Sequence, residues 1–186
     1  MIPLIIITIL LVIAVLGIIS IYNSMVKLRN NRENAFADID VQLNQRHDLI
    51  PQLVETVRGY MKHESDTLKA LTEARAGAMQ AKTLDAKIAA ETKLTSALQG
   101  LKVSLEAYPD LKANQNFMQL QEEIADIENK LAASRRFFNS ATKEYNNQIQ
   151  TFPAALFAAS FGFHRETMFD LGESRTSLNE APNIKF

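Results

Sequence analysis

The chain has 186 residues, with 20 Lys+Arg against 21 Asp+Glu and a formal net charge of −1. That balance excludes the concentrated basic surface that nucleic-acid binding needs. The absence of cysteine removes disulfides and thiol chemistry without fixing a compartment. Six glycines, no Trp and much Ala, Leu, Glu, Lys and Gln describe helices.

From Ile2 to Ile21 no side chain is charged, and Ile, Leu and Val dominate. At about 1.5 Å per residue this run reaches roughly 30 Å, the thickness of a hydrocarbon core, so residues 1–22 are predicted to form a transmembrane helix. A cleaved signal peptide competes, but the run lacks a basic n-region, is too long, and has no small-x-small site after it. Lys27, Arg29 and Arg32 follow directly, against Glu33 alone. The positive-inside bias then expects the amino terminus outside and residues 23–163 as a cytoplasmic helical bundle.

Phe36, Ile39, Leu43, Ile50, Leu53, Val57, Tyr60 and Leu71 fall on one seam of alternating three- and four-residue spacing, with Arg46, Glu64 and Thr67 as polar entries. Such a seam is buried only against other helices. Pro51 interrupts it at a cost of about 3 kcal/mol or more unless the helix bends or restarts. Asp48 offers a cap for a restart, so a kink or restart is expected at Asp48 to Pro51, with the seam preserved on both sides. A helix unbroken from the membrane to Ala81 would be roughly 120 Å long. Its seam would exceed what two shorter helices cover, which points to self-association.

The Ala-rich stretch after Leu71 leads to a turn near Gln80 to Thr83. Leu84, Ile88, Leu94, Leu98, Leu101 and Leu105 form a second helical face over 84–107, ending by Tyr108 because the residue before Pro109 is pushed out of helical geometry. Tyr108 to Asn114 is dense in turn formers and caps. A third helix over 114–151 carries Phe117, Ile124, Leu131, Phe138, Tyr145 and Phe152 at seven-residue intervals, with Leu120, Ile127, Ser134, Ala141 and Gln148 at the second position. That is a coiled-coil stripe, and Pro153 ends it. Residues 154–163 are apolar but too short to span a bilayer. They are expected to dock on the bundle, on a neighbouring copy or on the membrane surface through Leu156, Phe157, Phe161 and Phe163. From His164 the pattern dissolves, and 164–186 reads as a flexible tail.

Two blocks are more than generic. Ile39-Asp40-Val41-Gln42-Leu43 through Arg46, then Asp48-Leu49-Ile50-Pro51-x-Leu53-Val54-x-x-Val57-x-Gly59-Tyr60, resembles the first signature of the LemA family. Glu106-Ala107-Tyr108-Pro109-Asp110-Leu111-Lys112-Ala113-Asn114-x-Asn116-Phe117 resembles its second. Tyr22-Asn23, Glu128-Asn129, Arg135, Asn139, Tyr145-Asn146, Phe152-Pro153 and Phe161-Gly162-Phe163 continue the match in order, over nearly the whole chain. Where the family often has Tyr-Asn, this chain has Phe138-Asn139, which removes a phenolic hydroxyl and keeps a packing ring. The resemblance implies a membrane-anchored, mostly α-helical bundle with an antiparallel hairpin, and it does not imply a catalytic activity. Some relatives are associated with remodelling of internal membranes. The motif residues it marks as structural are Arg46, Asp48, Pro51, Glu106, Tyr108, Pro109, Asp110, Asn114, Arg135 and Asn139.

No residue constellation for catalysis, metal or cofactor emerges. His47, His63 and His164 stand too far apart to share a face, no HExxH or Glu-x-x-His repeat occurs, and His63-Glu64 reads as a solvated helix position. There is no P-loop, no GxGxxG and no serine elbow. The informative polar residues interrupt the seams: Arg46, Glu64, Ser134 and Gln148. An inward Arg46 costs several kcal/mol unless paired. Glu106 and Glu128 are the candidate partners, and a guanidinium snorkelling to solvent is the alternative.

The sequence thus predicts an all-α protein in which an N-terminal transmembrane helix leads into a long kinked helix of an antiparallel, LemA-like bundle. Its first functional reading is a non-enzymatic membrane scaffold whose copies assemble laterally and organise or remodel membrane. Lipid and further copies are then its partners, with no nucleic acid, small-molecule substrate or cofactor. The alternative is a membrane-tethered adaptor that docks cytoplasmic partners near Leu156 to Phe163.

Overall fold

The computed structural model describes residues 1–61 and 64–169. Its elements in chain order are α1 (Ile2–Arg58), α2 (Ser65–Gln80), α3 (Leu84–Ser104), a 3-10 turn (Leu105–Ala107), the one-turn α4 (Pro109–Lys112), α5 (Gln115–Gln150) and a second 3-10 turn (Ala154–Leu156). No strand occurs among the described residues, so the fold is all-α. Residues 1–39 with 134–168 form one compact unit, and residues 40–133 lie in another.

In the first unit, α1 opens with the charge-free run, whose large side chains from Ile2 to Ile19 are exposed except for the half-buried Ile18. By length and composition this helix can cross a membrane. Beyond it Met25, Tyr145, Ile149, Ala154, Ala158 and Phe163 form a buried core, with Ile21, Val26 and Leu28 packed against it. Phe36 meets Phe138 at 5.5 Å while Met25 shares a core with Tyr145 and Ile149, so α1 and α5 run antiparallel here.

The end of α5 departs from the expected register. The helix stops at Gln150, and Phe152, the next heptad position, is exposed, while Ile149 is buried. The chain then folds into a cap, residues 151–163, closed by a Schellman turn. Phe163 N donates to Ala158 O at 2.9 Å, Gly162 N donates to Ala159 O at 3.1 Å, and Gly162 sits at φ +76. Only glycine takes that conformation without strain, which accounts for glycine between two phenylalanines. The following residues, assigned from sequence to a flexible tail, are tied to α5 as far as Glu166. Tyr145 Oη donates to His164 O at 3.0 Å, and the Asn146 side chain bonds both the carbonyl (2.8 Å) and the amide (2.9 Å) of Glu166. The rest of that assignment, 170–186, lies outside the described residues.

In the second unit, the seam residues Ile50, Leu53 and Val57 join Leu68, Leu71, Leu94, Leu101, Leu105, Leu111 and Phe117 in one core. Each such side chain contributes about 1.5–3 kcal/mol on burial. The turn at 81–83 makes α2 and α3 a hairpin, and Thr83 caps α3 by accepting from Ala86 N at 3.2 Å.

No restart forms at Asp48 to Pro51. The helix continues through Pro51, whose ring is exposed, and ends at Arg58. The carbonyl left without a proline amide is that of His47, and Arg75 Nε donates to it at 2.6 Å. The break comes instead at Gly59, a weak helix former, so an unbroken helix to Ala81 does not form. Across this break the seam shifts: Tyr60 is exposed, and Met61 fills the core in its place.

Candidate functional site

Burying a guanidinium is costly unless its donors are met, and the two terminal nitrogens of Arg46, 2% exposed, are met from two helices, while its Nε is buried without a partner. Its Nη1 lies 3.1 Å from Glu91 Oε2, and its Nη2 lies 3.0 Å from Thr95 Oγ1 and 3.3 Å from Glu128 Oε1. Glu91, also 2% exposed, receives His47 Nε2 on its other oxygen at 2.7 Å. One guanidinium on α1 therefore joins α3 to α5. A second α1 to α3 pair, Asp40 with Lys87 at 2.5 Å, flanks it. Glu128 is among the two partners expected for Arg46. Glu106, the other, stands exposed on the 3-10 turn and takes no part.

The principal partner, Glu91, was not anticipated. Its signal is its position: three residues after Ile88 and three before Leu94, it occupies the face of α3 that those residues define. The cluster is buried, with Arg46 Nε and His47 Nδ1 left without a hydrogen-bond partner. Both oxygens of Glu91 and both terminal nitrogens of Arg46 are engaged, and neither residue is open to a substrate. Among the described residues no three His, Asp or Glu side chains converge as metal ligands.

The second signature block builds the connection into α5. Tyr108 Oη donates to Glu64 Oε2 at 2.6 Å. That bond pushes the Tyr108 hydroxyl above the usual tyrosine range, with partial burial and the Glu64 charge acting the same way. Pro109 opens α4, where a missing amide costs nothing, and Asp110 follows in its first turn. Asn114 caps α5 by accepting from Phe117 N at 3.1 Å, and its Nδ2 donates to Tyr60 Oη at 3.0 Å. The tyrosine that left the seam is thus held at the amino end of α5. Asp48 is exposed on α1 and accepts at its carbonyl from Gln52 Nε2 at 3.4 Å. Arg135 and Asn139 are half-buried on α5 in the first unit, and His63 lies outside the described residues.

The cap gathers aromatic rings around the first residues after the charge-free run. The Tyr22 ring meets Phe161 edge-on at 5.3 Å and Phe163 at 5.8 Å, and the Arg29 guanidinium lies 5.2 Å over the Phe163 ring. Of the four cap residues picked from the sequence, Phe163 is buried, Phe157 is half-buried and stacked on Phe161 at 6.2 Å, and Leu156 and Phe161 are exposed. Beside this group Arg32 stacks over Phe138 at 5.0 Å and pairs with Glu166 at 3.0 Å. Burial raises the Tyr145 hydroxyl above its ordinary pKa, with the Glu166 charge adding to it and Arg29 and Arg32 opposing.

The chain is similar in sequence to known proteins. Protein LemA of Metamycoplasma hominis is 25% identical over 155 residues, covering 81% of this chain and 69% of that protein. Magnetosome protein MamQ of Magnetospirillum gryphiswaldense is 22% identical over 174 residues, covering 80% of this chain and 64% of its own length. The chain thus spans about two thirds of either relative. The LemA family pattern matches residues 35–186, taking in the Arg46 cluster, the Tyr108 to Asn114 connection and the cap. The chain belongs to the LemA family.

Proposed function

We propose that the protein is a membrane-anchored, non-enzymatic helical scaffold whose copies assemble and organise or remodel the bilayer that holds them. The observation that carries this reading is the largely exposed, charge-free run Ile2 to Ile21, which is span-length and continuous, within α1, with the packed residues of the first unit. Lys27, Arg29 and Arg32 follow the run and orient it with the amino terminus outside and the helical units on the cytoplasmic side. The Arg46 cluster fixes the register of α1, α3 and α5 within the second unit.

The seam itself is not the lateral contact. Ile39, Leu43, Ile50, Leu53 and Val57 are covered by the chain's own helices. Assembly falls instead to apolar side chains that the fold leaves outside, among them Val103, Met118 and Phe137. Electron microscopy and crosslinking of the full-length protein in lipid test the reading. Ordered clusters or a curved bilayer are expected. Dispersed monomers on an unperturbed membrane overturn the scaffold, and stoichiometric capture of a foreign protein without self-capture favours the adaptor.

A further inference from the structure

Residues 151–163 carry no charged side chain, yet the cap they form leaves Phe152 at 77%, Leu156 at 66% and Phe161 at 40% exposure. Isolated exposed apolar residues are ordinary, but these belong to one short segment whose fold is fixed by its own turn and core. Phe163, Ala154 and Ala158 face inward, and the Schellman turn at Gly162 locks the remainder outward. The cap is therefore not a loosely docked strand that would collapse further onto the first unit.

What occupies the outward face follows from where the cap sits. Phe161 and Phe163 both contact Tyr22, the residue immediately after the charge-free run. If that run spans the hydrocarbon, Tyr22 stands at the headgroup level, where aromatic rings with one polar end concentrate. The cap stands there with it. Around the same level lie Lys27 and Arg29, and Arg165 follows the cap with its side chain exposed. A charge-free aromatic and aliphatic face beside a basic excess, Lys27, Arg29, Arg32 and Arg165 against Glu33 and Glu166, is the composition of a segment that lies in the interface of an anionic bilayer.

We infer that residues 152–161 form a second membrane contact, a monotopic foot that inserts Phe152, Leu156 and Phe161 among the headgroups beside the span. This rests on the anchor reading above and adds a constraint that the anchor lacks. A single helix can rotate and tilt about its own axis, whereas a span with a foot fixed to its flank holds the first unit at one azimuth to the bilayer.

The chain has no cysteine, so Leu156→Cys, Phe152→Cys and Leu10→Cys each place one environment-sensitive fluorophore in the full-length protein. Each is reconstituted in vesicles of phosphatidylcholine and phosphatidylglycerol carrying spin-label quenchers either near the headgroup or deep in the acyl chains. A foot buried roughly 5–10 Å into the interface predicts blue-shifted emission at positions 152 and 156, quenched several-fold more by the shallow label. The probe at position 10 should show the opposite preference. Water-like, unquenched emission at 152 and 156 with deep quenching at 10 overturns the foot and leaves the anchor standing. Blue-shifted emission that neither lipid label quenches means that protein covers the cap, and also overturns the foot. Failure of both labels to quench position 10 overturns the anchor and the foot together.

Discussion

Arg75 supplies to the carbonyl of His47 the hydrogen bond that Pro51 withholds. A continuing helix would satisfy His47 O from the amide four residues on, and proline has none. Arg75 Nε fills the place at 2.6 Å from α2, the helix after the break. An isolated helix of this sequence would bend or restart at Pro51, and the packed one runs on to Arg58 because a neighbour completes its ladder.

The two residues should therefore be energetically coupled. Arg75→Ala leaves a backbone carbonyl short of its donor and is expected to cost about 1–3 kcal/mol in denaturant unfolding. Pro51→Ala restores an amide that can bond His47 O, so in that background Arg75→Ala should cost much less. A double-mutant cycle reads the difference directly, and strict additivity of the two substitutions would rule the compensation out.

The Arg46 cluster predicts an order of effects. Arg46→Met strands the buried Glu91 carboxylate with His47 alone and should cost about 3–5 kcal/mol, the usual penalty for breaking a buried pair from one side. Glu128 is half exposed, and the solvent that screens it limits Glu128→Ala to under about 1 kcal/mol. Thermal or denaturant unfolding of the three proteins checks the ranking. A Glu128 variant as damaged as the Arg46 one would mean that Glu128, not Glu91, carries the pairing.

The extent to which these features were legible varies with the range of the interaction that sets them. The seam from Ile39 to Val57 and the stripe from Phe117 to Tyr145 follow a local period, and both could be read residue by residue. Both readings fail at the ends, at Tyr60 and Phe152, where the period was carried past a helix terminus. Gly59 and Pro153 are the local signals for those stops. Glu91 and Arg75 were missed for another reason. Each occupies a core-facing position by spacing, Arg75 four residues after Leu71 and three before Ala78, but the helical faces were traced through their apolar residues and neither was picked out. What decides their place is a partner on another helix, and period counting holds no information about partners. Pro51 is the mirror case, with a break that local chemistry demands and a distant side chain prevents.

Gly162→Ala isolates the cost of one backbone conformation. Nothing lies within 4 Å of the added methyl, so the substitution meets no clash. It does place an L-residue at φ +76, which costs roughly 1–2 kcal/mol. The loss should appear locally, as faster amide exchange at Phe163 and Glu166 and a weaker Tyr145 to His164 bond, before global stability moves. Unchanged exchange across 158–166 would show that the turn does not hold the cap.

Alkaline pH should loosen the protein through Tyr108 and Tyr145. Both hydroxyls are raised above the ordinary value of about 10, Tyr108 by its bond to Glu64 and Tyr145 by burial. A raised folded-state pKa means that the unfolded chain loses its protons first. The stabilisation is then complete below about pH 10 and declines as pH climbs from there through the folded values. Tyrosinate absorbance followed through unfolding should show these two groups ionising late in the native protein and normally in denaturant. Tyr108→Phe and Tyr145→Phe should each remove part of the late phase and flatten the alkaline fall in stability. The Tyr108 share should also shrink in Glu64→Gln, because the partner that holds its proton is then neutral and only burial still raises the hydroxyl. A late phase that survives both phenylalanine substitutions would assign it to groups other than these two hydroxyls.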